Sequence, residues 1–132
     1  LGEAVVTAGG KLAARIVIHA VSLDRDRRTG AAVIENAVHA AMARAREHEV
    51  TTIAFPALGT GVGGYPLDEA ARITLAAVRD ELGRSPSIEV VTFALRGAAA
   101  YAAFQAAINE SPGADRPAGG ELEAASVQAA GR

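Results

Sequence analysis

The stretch TTIAFPALGTGVGGYPLDEAARITLAAVRDEL, residues 51–82, does most to limit what this chain can fold into. The apolar run TTIAFPA reads as a strand stopped by Pro56. Four glycines then fall within six residues, Gly59, Gly61, Gly63 and Gly64. After them Ala71, Leu75, Val78 and Leu82 recur at helical spacing, and Gly83 suits the position just past the helix end. Asp68 is the candidate N-cap, although Pro66 also suits the first turn. A strand that turns through glycine into an amphipathic helix is the crossover unit of a parallel α/β sheet.

The flanking segments extend that unit. Glu3–Thr7 (EAVVT) reads as a strand, Gly9 and Gly10 as a turn, and Arg15–Val21 (RIVIHAV) as a second strand. So short a connection favours antiparallel pairing. SLDRDRRTG is a polar loop whose charge run reads as solvated. Thr29 is placed to cap a helix from about Gly30 to His48, with Ile34, Ala37, Val38, Ala41 and Ala45 as its apolar stripe. Ile88–Leu95 predicts a fourth strand. Ala98–Ile108 predicts a last helix, with Tyr101, Phe104 and Ile108 toward the sheet. The strands alternate little, which predicts helices on both faces. After Asn109 the chain turns rich in Gly, Ala, Pro and charge. The expected organisation is one domain over 1–109 and a disordered tail over 110–132, with a weak helix near Leu122–Ala130.

Composition removes several function classes. A chain of 132 residues can bury one core and not two. Its 13 basic and 15 acidic residues leave a net charge of -2, which provides no footprint for duplex nucleic acid. Without cysteine there is neither a disulfide framework nor a thiolate zinc site. No apolar run approaches the roughly 18 residues of a membrane span, and no signal-peptide pattern opens the chain. A cytoplasmic setting with no metal and no cofactor is the expectation. The first residue, Leu1, suggests a fragment or a processed chain.

The glycine loop is the candidate site. It follows a buried strand and precedes a helix, where open α/β sheets bind ligands. Glycines let the backbone approach an anion, successive N–H groups form a nest for it, and the helix N-terminus adds a favourable dipole. Thr60 adds a hydroxyl, and Tyr65 closes the loop with a ring able to flank a sugar. No lysine follows the glycines, so the loop is not a Walker A motif. Gly59, Gly61 and Gly64 match G-x-G-x-x-G spacing, but Pro66 and the lack of a distant acidic ribose partner weaken a dinucleotide reading. A plain strand-to-helix turn is the simpler alternative; four glycines in six residues exceed what a turn needs, which favours anion binding. His19 reads as a buried or half-buried structural histidine. His39 and His48, nine apart, lack metal spacing and face solvent. Asp68 and Glu69 could be an acid–base pair, but helix-start capping suffices for them.

IVIHAV, IENAVHAAMARAREHEVTTIAFPALGTGVGGYPLDEAA and VVTFAL followed by YAAF resemble the macro domain, an ADP-ribose-binding module, from about Gly2 to Ile108. The resemblance implies a truncated, macro-like three-layer α/β/α domain with a mixed sheet, its N-terminal strands and first loop missing. It implies that Leu58, Gly59, Thr60, Gly61, Val62 and Gly63 offer backbone contacts to the diphosphate and distal ribose, with Gly64 and Tyr65 completing the loop. Many relatives carry an aromatic residue at the position of Gly63, and Tyr65 would partly replace it. Arg96 takes the place of an aromatic residue that stacks on adenine; a guanidinium can stack on a flat ring. The Asn-Ala-Ala-Asn-like segment of the family does not occur, and Asn36 and Asn109 cannot stand in. By resemblance a further strand would lie between RIVIHAV and TTIAFPA; without it these two pair directly or leave a gap. The expected partner is ADP-ribose or an ADP-ribosylated macromolecule, and the parent would be an ADP-ribosyl hydrolase. Catalysis by this segment alone is not expected. The alternatives are a protein-interaction module, self-associating through the sheet gap as a homo-oligomer, and a general nucleotide-phosphate binder.

Overall fold

A computed structural model of the protein describes residues 3–110 and 125–129. Strands β1 (Ala4–Ala8) and β2 (Ile16–Ala20) form an antiparallel hairpin, with Val6 opposite Ile18. Helix α1 (Ala31–Glu47) leads into β3 (Thr52–Phe55). Helix α2 (Leu67–Leu82), β4 (Val90–Leu95) and α3 (Ala98–Asn109) follow. The last strand, β5 (Ala125–Ala129), pairs parallel with β4, as β3 does on its other side. This is an α/β architecture, as the strand–helix alternation predicts, with the mixed strand pairing that the family resemblance implies. Within the region read as a tail, 111–124 and 130–132 lie outside the described residues. Ala125–Ala129 form a strand where the sequence suggests a weak helix.

The predicted stripes of α1 and α2 hold. Ile34, Ala37, Val38, Ala41 and Ala45 of α1 are buried, and Met42 joins them. Ala71, Leu75, Val78 and Leu82 of α2 are buried as well. These small side chains let α1 and α2 approach closely and pack side by side over the sheet. In α3, Phe104 is fully buried and Ile108 partly so, but Tyr101 is 40% exposed and does not face the sheet.

The register of β3 and β4 sets which of their side chains meet the helices. Parallel register puts Ile53, Phe55, Val91, Phe93 and Leu95 on a common face, and this face meets the helices. Phe93 is its centre, 6.3 Å from the Phe55 ring and 5.2 Å from that of Phe104. Such pairs contribute about 0.5–1.5 kcal/mol each beyond their buried area, and they fix the carboxyl ends of β3 and β4 side by side. On the other face Thr52, Ala54, Val90 and Ala94 are exposed. Those strands therefore alternate in burial more than their composition suggests.

Strands β2 and β3 run side by side without pairing. Near their starts, Arg15 Nη2 donates to the carbonyl of His48 at 2.9 Å. Near their ends, the loops that follow them touch. Yet β1–β2 and β3–β4–β5 are separate sheets. Between them lies an apolar groove of about 500 Å³, lined by Ile16, Ile18 and Ala20 from one side and Ile53 and Phe55 from the other. Of the two expected outcomes, direct pairing or a gap, the chain adopts the gap. Helix α1 bridges its floor, with Ala41 in the lining.

Candidate functional site

The loop between β3 and α2 begins as β3 ends at Phe55. Its internal hydrogen bonds are few and specific. The Leu58 N–H donates to the carbonyl of Pro56 at 3.0 Å, and the Thr60 N–H and hydroxyl both reach the carbonyl of Ala57, at 3.3 and 2.8 Å. The Gly64 N–H donates to Gly61 O at 3.0 Å and the Tyr65 N–H to Gly59 O at 2.9 Å. Gly59, Gly61, Val62 and Gly63 are left with amides that donate to no acceptor among the described residues. Four such donors in five residues, just before a 16-residue helix, make a nest of partial positive charge.

The glycines serve different ends. Gly59 has φ +80°, and a Cβ there would lie 2.7 Å from Ile34 Cδ1, so its loop sits directly on α1. Gly63 has no positive φ, but a Cβ would come within 2.7 Å of Gly59 O, 2.8 Å of Leu23 Cδ2 and 2.9 Å of Thr29 Cγ2. A side chain at Gly63 would therefore collide with the β2–α1 loop. Gly61 has open space where its Cβ would be. Packing does not require a glycine there; an unobstructed backbone at that point leaves room for a ligand to approach.

Each remaining sequence-predicted residue has a defined place. The Tyr65 hydroxyl donates to Glu69 Oε2 at 3.0 Å, which pins the ring to the start of α2. Partial desolvation, together with the Glu69 carboxylate, holds this phenol above its ordinary pKa. Val62 is 69% exposed, a large apolar side chain on the loop's outer rim. Arg96 follows β4, is exposed, and precedes Gly97, whose φ of +87° turns the chain into α3. Since β3 and β4 are parallel, with Phe55 opposite Phe93, Arg96 lies at the same end of the sheet as the glycine loop.

Two capping expectations change. The N-cap of α1 is Gly30, without a side-chain hydrogen bond, and the Thr29 hydroxyl is buried without a partner against the glycine loop. The N-cap of α2 is Pro66, and Asp68 and Glu69 lie in the first turn. No side chain caps this helix start; the two acidic residues lie in the turn where the helix dipole favours negative charge, and Glu69 holds Tyr65.

The histidines also depart from expectation. His19 is exposed, with Nε2 2.9 Å from the Thr7 hydroxyl. His48 faces solvent as expected, but His39 is half-buried, its Nδ1 2.8 Å from Glu81 Oε1. His39, Asp80 and Glu81 are the metal-ligand types that gather among the described residues. Glu81 is already engaged by Arg46 at 2.9 Å and Arg84 at 3.1 Å, so its oxygens bind cationic side chains between α1 and α2. The cluster is an ion-pair hub.

Comparison with known proteins places this loop and sheet in a wider set. The macro domain profile matches residues 1–74. The chain belongs to the macro domain family. It is 45% identical over 108 residues to the Mycobacterium tuberculosis protein Rv1899c, covering 82% of this chain and 30% of that protein. It is 39% identical over 116 residues to the macro domain-containing protein TTE0995 of Caldanaerobacter subterraneus subsp. tengcongensis, covering 83% and 63%. The chain thus spans under two thirds of the length of these relatives. Among solved structures, an Oceanobacillus iheyensis macrodomain mutant with ADPR superposes at a TM-score of 0.73 and 27% identity, covering 82% of this chain and 59% of that one. A Trypanosoma brucei macrodomain in complex with ADP-ribose gives 0.72 and 27%, covering 81% and 45%. In this macro domain the glycine loop joins β3 to α2, and no helix among its described residues is long and apolar enough to cross a membrane.

Proposed function

We propose that this macro domain binds ADP-ribose through the loop Leu58–Tyr65. The observation that carries the reading is the row of uncommitted amides at Gly59, Gly61, Val62 and Gly63, with the approach to Gly61 open. A diphosphate supplies the acceptor oxygens these donors lack. Leu58, Thr60 and Gly64 hold the loop's shape through their internal hydrogen bonds, Tyr65 flanks the distal ribose, and Arg96 stacks on the adenine at the neighbouring strand end. Bound macrodomain neighbours with ADP-ribose support the same ligand. Binding, not turnover, is the role assigned to this segment. In a longer parent the loop would hold the diphosphate while an ADP-ribosyl bond is hydrolysed. Calorimetric titration of the chain with ADP-ribose is the test. A heat of binding that ATP and AMP compete for only weakly is expected. Equal competition by ATP would reduce the reading to general nucleotide-phosphate binding, and no heat would remove it.

A second reading rests on the apolar groove between β2 and β3. Two strand edges with free backbone groups flank it, and an extended segment of a second copy could pair with both. Sedimentation decides: growth of a dimer with concentration supports this docking, and a compact monomer at micromolar concentration counts against it.

A further inference from the structure

Glu81, in the last turn of α2, keeps its side chain only 5% exposed and still collects three basic side chains. His39 Nδ1 lies 2.8 Å from its Oε1, and Arg46 Nη1 lies 2.9 Å from its Oε2. Arg84 follows the end of the helix. Its Nη1 is 3.1 Å from Glu81 Oε1 and its Nη2 is 3.1 Å from Asp80 Oδ2. One guanidinium therefore spans two carboxylates at the point where an imidazole nitrogen also arrives. A nitrogen of His39 and one oxygen each of Asp80 and Glu81 all lie within 4.8 Å of one another.

The members of this cluster are not equally fixed. The side chains of Arg84 and Asp80 are 60% and 52% exposed, and an ion pair in water is weakly held. Arg84 is thus the cation that can leave. Arg46 stays on Oε2 of Glu81, which leaves Oε1 for whatever takes the place of Arg84. Charge limits what that is. Glu35 stands beside the other ring nitrogen of His39, 3.9 Å from Nε2. Three carboxylates, of Glu35, Asp80 and Glu81, against Arg46 and Arg84 leave one negative charge in excess with His39 neutral. Without Arg84 the excess is two, which one divalent cation cancels.

We propose that His39 Nδ1, Asp80 and Glu81 form a site for a divalent transition-metal ion of the zinc class, which displaces the Arg84 side chain and ties α1 to α2. An imidazole nitrogen among the ligands selects zinc and its neighbours over magnesium and calcium. With the ion on Nδ1, the ring proton stays on Nε2 and points toward the Glu35 carboxylate, the pairing that metal-bound histidines commonly make. The exposed Asp80 side leaves room for water to complete the coordination. The ligands come from two helices, with 42 positions between His39 and Glu81, so histidine spacing along the chain does not reveal them. The site does not depend on the ADP-ribose reading, because Asp80 and Glu81 lie at the opposite end of α2 from the glycine loop.

Calorimetric titration of zinc chloride into the 132-residue chain tests the site, with magnesium chloride as the control. Zinc should bind one ion per chain and magnesium should not compete. Zinc should also raise the melting temperature, because an ion that binds only the folded chain stabilises it. H39Q and D80N should each weaken binding at least about tenfold, since even the outer partners of a metal site are worth that much. R84A should bind zinc more tightly than the parent, because the competing guanidinium is gone. H19Q/H48Q should bind as the parent does. Parental binding in H39Q, or its loss in H19Q/H48Q, would put the ion on the exposed histidines and overturn the proposal. So would an R84A affinity no higher than the parent's. Binding by R84A alone would make Arg84 the resident cation of the native chain, and no heat in any variant would remove the site. If H39Q does not fold, D80N and R84A decide, since both change exposed side chains.

Discussion

At the scale of single residues, the glycine loop separates packing from recognition. Gly59 is needed by the fold: Gly59→Ala should destabilise the protein by about 2–4 kcal/mol, from a strained φ and a collision with Ile34. Chemical denaturation measures it; a midpoint equal to the parent's would mean that the loop is not seated on α1. Gly61 is different. Its φ is not positive and nothing crowds it, so Gly61→Ala should leave stability unchanged or raise it by up to about 1 kcal/mol. The same methyl group would stand in the ligand's approach, and calorimetry should show ADP-ribose affinity reduced at least about tenfold, the effect of about 1.4 kcal/mol. Wild-type affinity in this variant would put the diphosphate elsewhere. The sequence marks all four glycines alike. Only their neighbours, Ile34 under Gly59 and Leu23 and Thr29 beside Gly63, tell them apart. For the same reason, an aromatic residue at Gly63, which the family resemblance leads one to expect, has no room in this fold, where that space belongs to the β2–α1 loop.

At the scale of elements, α1 and α2 are joined by Glu81, whose side chain is 5% exposed. Burial pushes its pKa up, but hydrogen bonds from His39 and Arg46, with their charges, outweigh it and leave the value below the ordinary glutamate range. A folded-state pKa below the unfolded one stabilises the fold at higher pH. The contribution is fully present above the ordinary pKa of about 4.3 and is lost as pH falls through the lowered value. Glu81→Ala should cost about 2–4 kcal/mol, because His39, Arg46 and Arg84 lose the carboxylate they share and Arg46, which also donates to the buried Ser85 hydroxyl, is left half-partnered. Thermal melts from pH 7 to pH 3 should show the variant losing less stability on acidification than the parent. Parallel curves would assign the acid sensitivity to other carboxylates. The stripes of α1 and α2 were fully legible, since a 3.6-residue period survives any tertiary arrangement, whereas Tyr101 of the expected α3 stripe is exposed. The caps were not. Thr29 reads as a cap by type, yet its hydroxyl is directed at the glycine loop because the β2–α1 loop packs there.

At the scale of the whole molecule, the divided sheet sets the pattern of stability. Strand β4 is hydrogen-bonded on both sides, β3 and β2 on one side each, with the groove between them. Amide hydrogen exchange should therefore be slowest in Val91–Leu95 and faster in both β2 and β3, since open strand edges leave donors to water. Protection of β2 equal to that of β4 would show the groove closed in solution.

What the sequence determined by itself was local. The strand–glycine–helix unit, the antiparallel hairpin, the helix stripes and the family likeness all reside in patterns of neighbouring residues, where sterics and hydrophobic period act over a few positions. Tertiary structure decided what depends on residues far apart. It left β2 and β3 unpaired, put His39 and Glu81, 42 positions apart, into one part-buried contact, and set Leu23 and Thr29 against Gly63. These outcomes depend on which surfaces meet once the elements pack, and no periodicity in the chain encodes that.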